Sequence, residues 1–312
     1  MSRPDITFFR EDHPKDSHLR FRELAVYSPL FAQFTRPVRW LRDGEYALRR
    51  FQARAFGICL ILTLIAALLI VQINGDAATG RRDNLADSLA LSSLSLLVAL
   101  ATVPALSVLD FWMMNAATRE LRASGTQWEL LRLTPMSKRG IIVSICAAVR
   151  MRGWRYSRVI MAVRAGAVLL GLMAAGAQFV TNTAFYLRDA SNFLLSGIIP
   201  LTIFVSVGVT FILEPRWRLQ MMSALALALA AHLKNIPLRI FVNVLLVIMV
   251  WCILPIYLIF IGYISAGCLL LITFPVTVPI GLFFGWRGFY HFFEYIALRQ
   301  AEDFAFREQM SL

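Results

Sequence analysis

Six long apolar runs separated by short polar segments organise the chain: Phe56 to Ile73, Leu89 to about Met114, Val159 to about Val180, Phe193 to Leu213, Ile240 to Phe260 and Gly267 to Phe284. Each approaches or exceeds the ~18 apolar residues that mark a membrane-spanning helix. The second run is interrupted by Pro104 and Asp110, and the fourth stops at Glu214-Pro215-Arg216-Trp217-Arg218. The pattern predicts an all-α, multi-pass bundle of about six transmembrane helices. Residues 1–54 form a polar arm, 55–290 the membrane domain with a charged segment at 115–158, and 291–312 a tail.

Composition agrees: 58% of residues are hydrophobic and 16% charged, against about 45–50% and about 25% in soluble domains. Four cysteines, Cys59, Cys146, Cys252 and Cys268, have neither zinc-ligand nor disulfide-framework spacing. The N-terminus is polar and of mixed charge, unlike a cleavable signal peptide.

The net charge of +12 reads as topology rather than nucleic-acid binding, because the basic residues form no continuous stripe. They collect before the first span and between the second and third, whereas the loops in between are nearly neutral. Lys and Arg are retained on the cytoplasmic side, so the N-terminus and the segment from Arg119 to Arg158 are expected inside a cell membrane. Six spans also place Glu214 to Arg239 and the C-terminus inside. Within the arm, Leu30, Phe31, Phe34, Val38, Trp40 and Leu41 interleave with Arg36, Arg39 and Arg42, which suits an amphipathic helix lying in the headgroup region.

Leu219 to Leu233 does not fit this count. It is apolar and rich in small residues, yet short for a span. Three placements are open: at the interface, re-entrant, or joined to the fourth helix across a kink at Pro215. A seven-span alternative puts the C-terminus outside.

Two groups of residues are candidates for function. The first is the island from Arg119 to Ser137. Gly125 and Thr126 suit a break and an N-cap; Trp128, Leu130, Leu131 and Leu133 beside Glu129 and Arg132 suit a short helix for a partner's groove; and Thr134-Pro135 suits its end. The second is a set of polar residues in or near apolar runs, Asp110, Arg164, Gln178 and Glu214, where a charge is usually paired or facing water. Asp110 and Arg164 fall near the cytoplasmic ends of adjacent spans and can pair, although snorkelling to the interface is the preferred expectation for Arg164.

The island, Arg-Glu-x-x-x-x-Gly-Thr-x-x-x-Leu-Leu-x-x-Thr-Pro-x-Ser from Arg119 to Ser137, resembles the cytosolic coupling loop of type-2 ATP-binding-cassette (ABC) permeases. The resemblance implies the membrane-spanning subunit of an ABC transporter, most readily an exporter. It would work as a homo- or heterodimer of permease chains in membrane lipid, driven by a separate ATPase subunit. It also implies that Glu120, Gly125, Thr126, Trp128, Glu129, Leu131, Arg132, Thr134 and Pro135 contact that ATPase. The amphipathic arm helix fits the family's elbow helix. The chain departs from the pattern at Arg122, where the family commonly has an acid, and in its run of Arg150, Arg152, Arg155 and Arg158 after the helix.

No P-loop sequence and no catalytic constellation is present, so no enzyme activity, cofactor or metal is expected. The rival expectation is a non-transporting membrane scaffold or anchor that holds a soluble partner through residues 115–158.

Overall fold

In a computed structural model, residues 44–77, 84–125, 138–181, 199–232 and 274–307 are described, together with the single helical positions 241, 245 and 248. These residues are entirely helical. They form α1 (Gly44–Ala77), α2 (Asn84–Gly125), α3 (Lys138–Thr181), α4 (Ile199–His232) and α5 (Phe274–Arg307). Among the described residues, three segments are long and apolar enough to cross a membrane: Arg49–Gln72, Asp87–Thr118 and Arg139–Phe179. The amphipathic arm at 30–42, the segment 126–137 and most of the run 240–260 lie outside the described residues.

The helices are longer than the apolar runs inside them. α2 has 42 residues and α3 has 44, or more than about 60 Å each at about 1.5 Å per residue, against a hydrocarbon core of about 30 Å. About half of each must therefore lie beyond the hydrocarbon. Nor does the fourth helix stop at Pro215: α4 runs through it to His232. Leu219 to His232 thus joins the fourth helix, the third of the placements open to that segment. The tail assigned from residue 291 is, as far as Arg307, the continuation of α5, with Ala297 and Ala301 buried.

Side-chain contacts set the packing directions. Ser95 on α2 donates to the Ala167 carbonyl on α3 at 2.7 Å, and Leu109 and Met113 lie against Gly153, so α2 and α3 are antiparallel. On α1, Phe51 meets Trp154 and Thr63 meets Gly166, a constant register that makes α1 parallel to α3. α4 returns antiparallel to α3, with Gly208 against Val168 and Leu219 against Gly153.

Two layers of core result. Near one end, Ala67, Leu91, Leu170 and Ala174 pack together, while much of α1 between Ile58 and Leu69 faces outward. An exposed apolar surface of this kind is what a helix presents to lipid. Nearer the other end, a larger apolar cluster joins Leu106 to Ala117 of α2, Ile141 to Val149 of α3, Ala224 to Ala228 of α4, and Ala297 and Ala301 of α5. The alanines let these helix backbones approach closely, as small residues do in membrane bundles. This explains why the Ala-rich stretch of α4 is too apolar for a surface helix: it is core.

Gly166 shows how tight the α1–α3 contact is. A Cβ there would stand 2.5 Å from Thr63 Oγ1, and that hydroxyl donates to the Cys59 carbonyl at 2.7 Å. Thr63 is β-branched, so either its bond to the Cys59 carbonyl is given up or the helices part. Gly166→Ala is expected to destabilise the bundle by about 1–3 kcal/mol, and Thr63→Ala in the same chain should recover most of the loss. Thermal unfolding of the single and double variants in detergent checks this; equal melting of Gly166→Ala and wild type would show that the helix pair is looser.

Candidate functional site

Beside and within the larger core lies a layer of buried charge drawn from four helices. It contains Thr102 and Asp110 of α2, Arg164 of α3, Glu214 and Arg218 of α4, and Tyr290 of α5. The side chains of Arg164, Arg218 and Asp110 are at most 1% exposed and that of Glu214 is 6% exposed. Two carboxylates face two guanidinium groups, so the layer carries no net charge. That balance is what a buried ionic cluster needs, since an unpaired ion in a medium of low dielectric is far more costly than a pair.

The bonding is reciprocal. Arg218 directs Nε and Nη2 onto Asp110 Oδ2 at 2.9 and 2.6 Å, and its Nη1 reaches Glu214 Oε1 one turn back on α4 at 3.4 Å. Tyr290 donates its phenol to the same Oε1 at 3.0 Å. The other oxygen of Glu214 accepts from Arg164 Nη1. Arg164 Nε donates to Thr102 Oγ1 at 3.1 Å, and the guanidinium lies 4.0 Å from the centroid of the Phe211 ring. Arg164 Nη2 is buried with no acceptor among the described residues.

Pro215 explains how this layer is built. A proline inside a helix has no N–H for the carbonyl four residues earlier, here that of Phe211. Arg164 Nη1 fills the vacancy, donating to the Phe211 carbonyl at 2.7 Å. The Pro215 carbonyl in turn accepts from Ser157 Oγ of α3 at 3.1 Å. Within a membrane, freed backbone groups need such partners from neighbouring helices. Pro215 thus opens a gap in the backbone ladder that α3 occupies, rather than ending the helix.

A second ionic contact joins α3 and α5. Arg150 Nη2 bonds Glu294 Oε1 at 2.8 Å, its Nε reaches Ser223 Oγ of α4 at 3.4 Å, and His291 Nδ1 lies 3.3 Å from Glu294 Oε2. Beside Glu214, an aromatic group of Trp217, Trp286 and Tyr290 seals α4 against α5, with Trp286 and Tyr290 in an edge contact at 5.4 Å.

Of the intramembrane polar residues singled out from sequence, the fold brings Asp110, Arg164 and Glu214 together. Gln178 is exposed near the far end of α3, 14 residues or about 21 Å along the helix from Arg164. Two pairings differ from the sequence expectation. Asp110 pairs with Arg218 rather than Arg164. Arg164 does not snorkel: it is fully buried, held in place through Nε and Nη1 by Thr102, Glu214 and the freed Phe211 carbonyl. Arg218, Tyr290, Thr102 and the Arg150–Glu294 pair were not anticipated. The one available signal was the i, i+4 spacing of Glu214 and Arg218 on a single helical face.

The segment Thr126 to Ser137, with Thr126, Trp128, Glu129, Leu131, Arg132, Thr134 and Pro135, lies outside the described residues. Glu120 and Gly125 belong to the last turns of α2. Among the described residues no group of His, Cys, Asp and Glu is arranged to hold a metal ion. No family model matches the chain, and neither curated proteins nor solved structures give a match.

Proposed function

We propose that this chain is the membrane-spanning subunit of an ABC transporter, an exporter that works as a dimer with a separate ATPase subunit. The observation that carries the reading is the placement of the coupling-like sequence on a particular kind of support. Thr126 to Ser137 connects two antiparallel helices, α2 and α3, each far longer than a bilayer is thick. The charged layer ties both helices to α4 and α5. A displacement applied at the connection would move α2 and α3 as levers, and Asp110–Arg218 and Arg164–Glu214 would carry it to the other helices.

The proposed topology has six spans, with the arm as an elbow helix, the 126–137 segment as a coupling helix, and both termini in the cytoplasm. The basic residues support that side. Continuity of α4 through Leu219 to His232 favours six spans over seven.

The testing experiment is purification of the full-length chain alone and with a co-expressed ATPase subunit. The chain alone should not hydrolyse ATP, having no phosphate-cradling loop, and turnover should appear with the partner. Cysteine labelling after Arg42, Lys138 and Gln309 should report the cytoplasmic side. Hydrolysis by the pure chain, or labelling from outside at Lys138, would overturn the reading in favour of an enzyme or an outward-facing anchor.

A further inference from the structure

The outer face of the bundle carries a cluster of arginines at one depth. The register that joins Phe51 to Trp154 and Thr63 to Gly166 sets Arg54 of α1 level with Ser157 of α3. The Ser157–Pro215 bond sets Arg158 and Arg216 beside each other on α3 and α4, near enough for their charges to repel. Arg155 completes the group, its guanidinium 5.3 Å from the centroid of the Phe51 ring. Arg54, Arg155 and Arg216 are exposed. Arg158 is half-buried, 5.2 Å over the Trp154 ring, with Nη1 toward the sulfur of Met161.

α3 contains no Asp or Glu along its 44 residues. Among the described residues, the acids of neighbouring helices near this depth, Asp110, Glu214 and Glu294, are turned inward onto Arg218, Arg164 and Arg150. Arg54, Arg158 and Arg216 have no acidic partner among the described residues. On α1, α3 and α4 this depth is also an edge of outward apolar surface, which begins at Ile58 on α1 and Tyr156 on α3 and extends from Leu201 to Val209 on α4. Three arginines without an acidic partner among the described residues, at the edge of a lipid-facing surface, fit a negatively charged headgroup whose chains lie on that surface.

We propose that Arg158 and Arg216, flanked by Arg54, bind the phosphate of an anionic glycerophospholipid, with its acyl chains against the exposed apolar faces of α1, α3 and α4. Each basic residue near an anionic lipid surface contributes a factor of about five in affinity. The site requires only that the bundle sits in a membrane and is independent of an ATPase partner.

The test uses the full-length chain in detergent micelles, titrated with phosphatidylglycerol, phosphatidylcholine or inorganic phosphate, with bound lipid counted by native mass spectrometry. Phosphatidylglycerol should bind on the order of tenfold more tightly than phosphatidylcholine, and inorganic phosphate at equal concentration should not displace it. Arg158→Gln with Arg216→Gln should weaken phosphatidylglycerol binding at least about tenfold. The corresponding double substitution to Lys should retain most of it, and Arg299→Gln, farther along α5, should change nothing. Lipid-free melting shows whether each variant is folded; if the double variant is not, Arg216→Gln alone, at an exposed position, should still give a several-fold loss. Equal binding of the two lipids, unchanged binding in the Gln variants, or displacement by inorganic phosphate would overturn the assignment.

Discussion

Glu214→Ala should be among the most destabilising single substitutions in this bundle, by about 3–5 kcal/mol, because it leaves buried guanidinium charge uncompensated. Glu214 accepts from Arg164, Arg218 and Tyr290 at once. Its loss would leave two positive charges against the single carboxylate of Asp110. Tyr290→Phe, which removes one hydrogen bond and no charge, should lower stability by about 0.5–1.5 kcal/mol. The ordering of these two effects distinguishes a working ion cluster from ordinary packing. Thermal unfolding in micelles of fixed composition, read by intrinsic tryptophan fluorescence, gives both.

A paired substitution sharpens this result. Glu214→Gln combined with Arg164→Met removes one charge of each sign and keeps similar volumes. Removing a buried pair is often close to neutral where removing one partner is not. The double variant is therefore expected to melt above Glu214→Ala, although the Phe211 carbonyl would lose its donor. If Glu214→Ala melts like wild type, water reaches the layer and the helices are not locked there.

Trp128→Ala should weaken capture of the ATPase subunit by about 2 kcal/mol or more, the usual contribution of a central aromatic anchor, or uncouple hydrolysis from transport. Insertion and melting of the isolated chain should be unchanged, because the proposed contact is with another subunit. Charge reversal at Glu129 should act more mildly, since rim charges chiefly steer and orient. Co-purification of the ATPase with wild type and both variants measures the effect, together with substrate-stimulated hydrolysis. Wild-type capture and coupling by Trp128→Ala would remove the segment from the mechanism and advance the scaffold reading. The two predictions are separable: Glu214→Ala acts on the bundle itself, Trp128→Ala only on the assembly.

The apolar runs of α1, α2 and α3 were legible because spanning a bilayer requires uninterrupted apolar length, a property of consecutive residues. So was the presence of intramembrane charge at Asp110, Arg164 and Glu214, since a charge among apolar neighbours stands out in one dimension. Which charges pair was not legible. Asp110 and Arg218 are 108 residues apart in the chain, and their meeting depends on the register of α2 against α4 across α3. Pro215 reads locally as a helix end, because a lone helix has nothing to replace its missing donor; the packed bundle supplies Arg164. The Ala-rich half of α4 and the stretch of α5 after Tyr290 likewise acquire their roles only when four helices share one core. Sequence by itself determined the class of environment and the supply of charges; tertiary structure decided their partners, because a partner is set by distance in space.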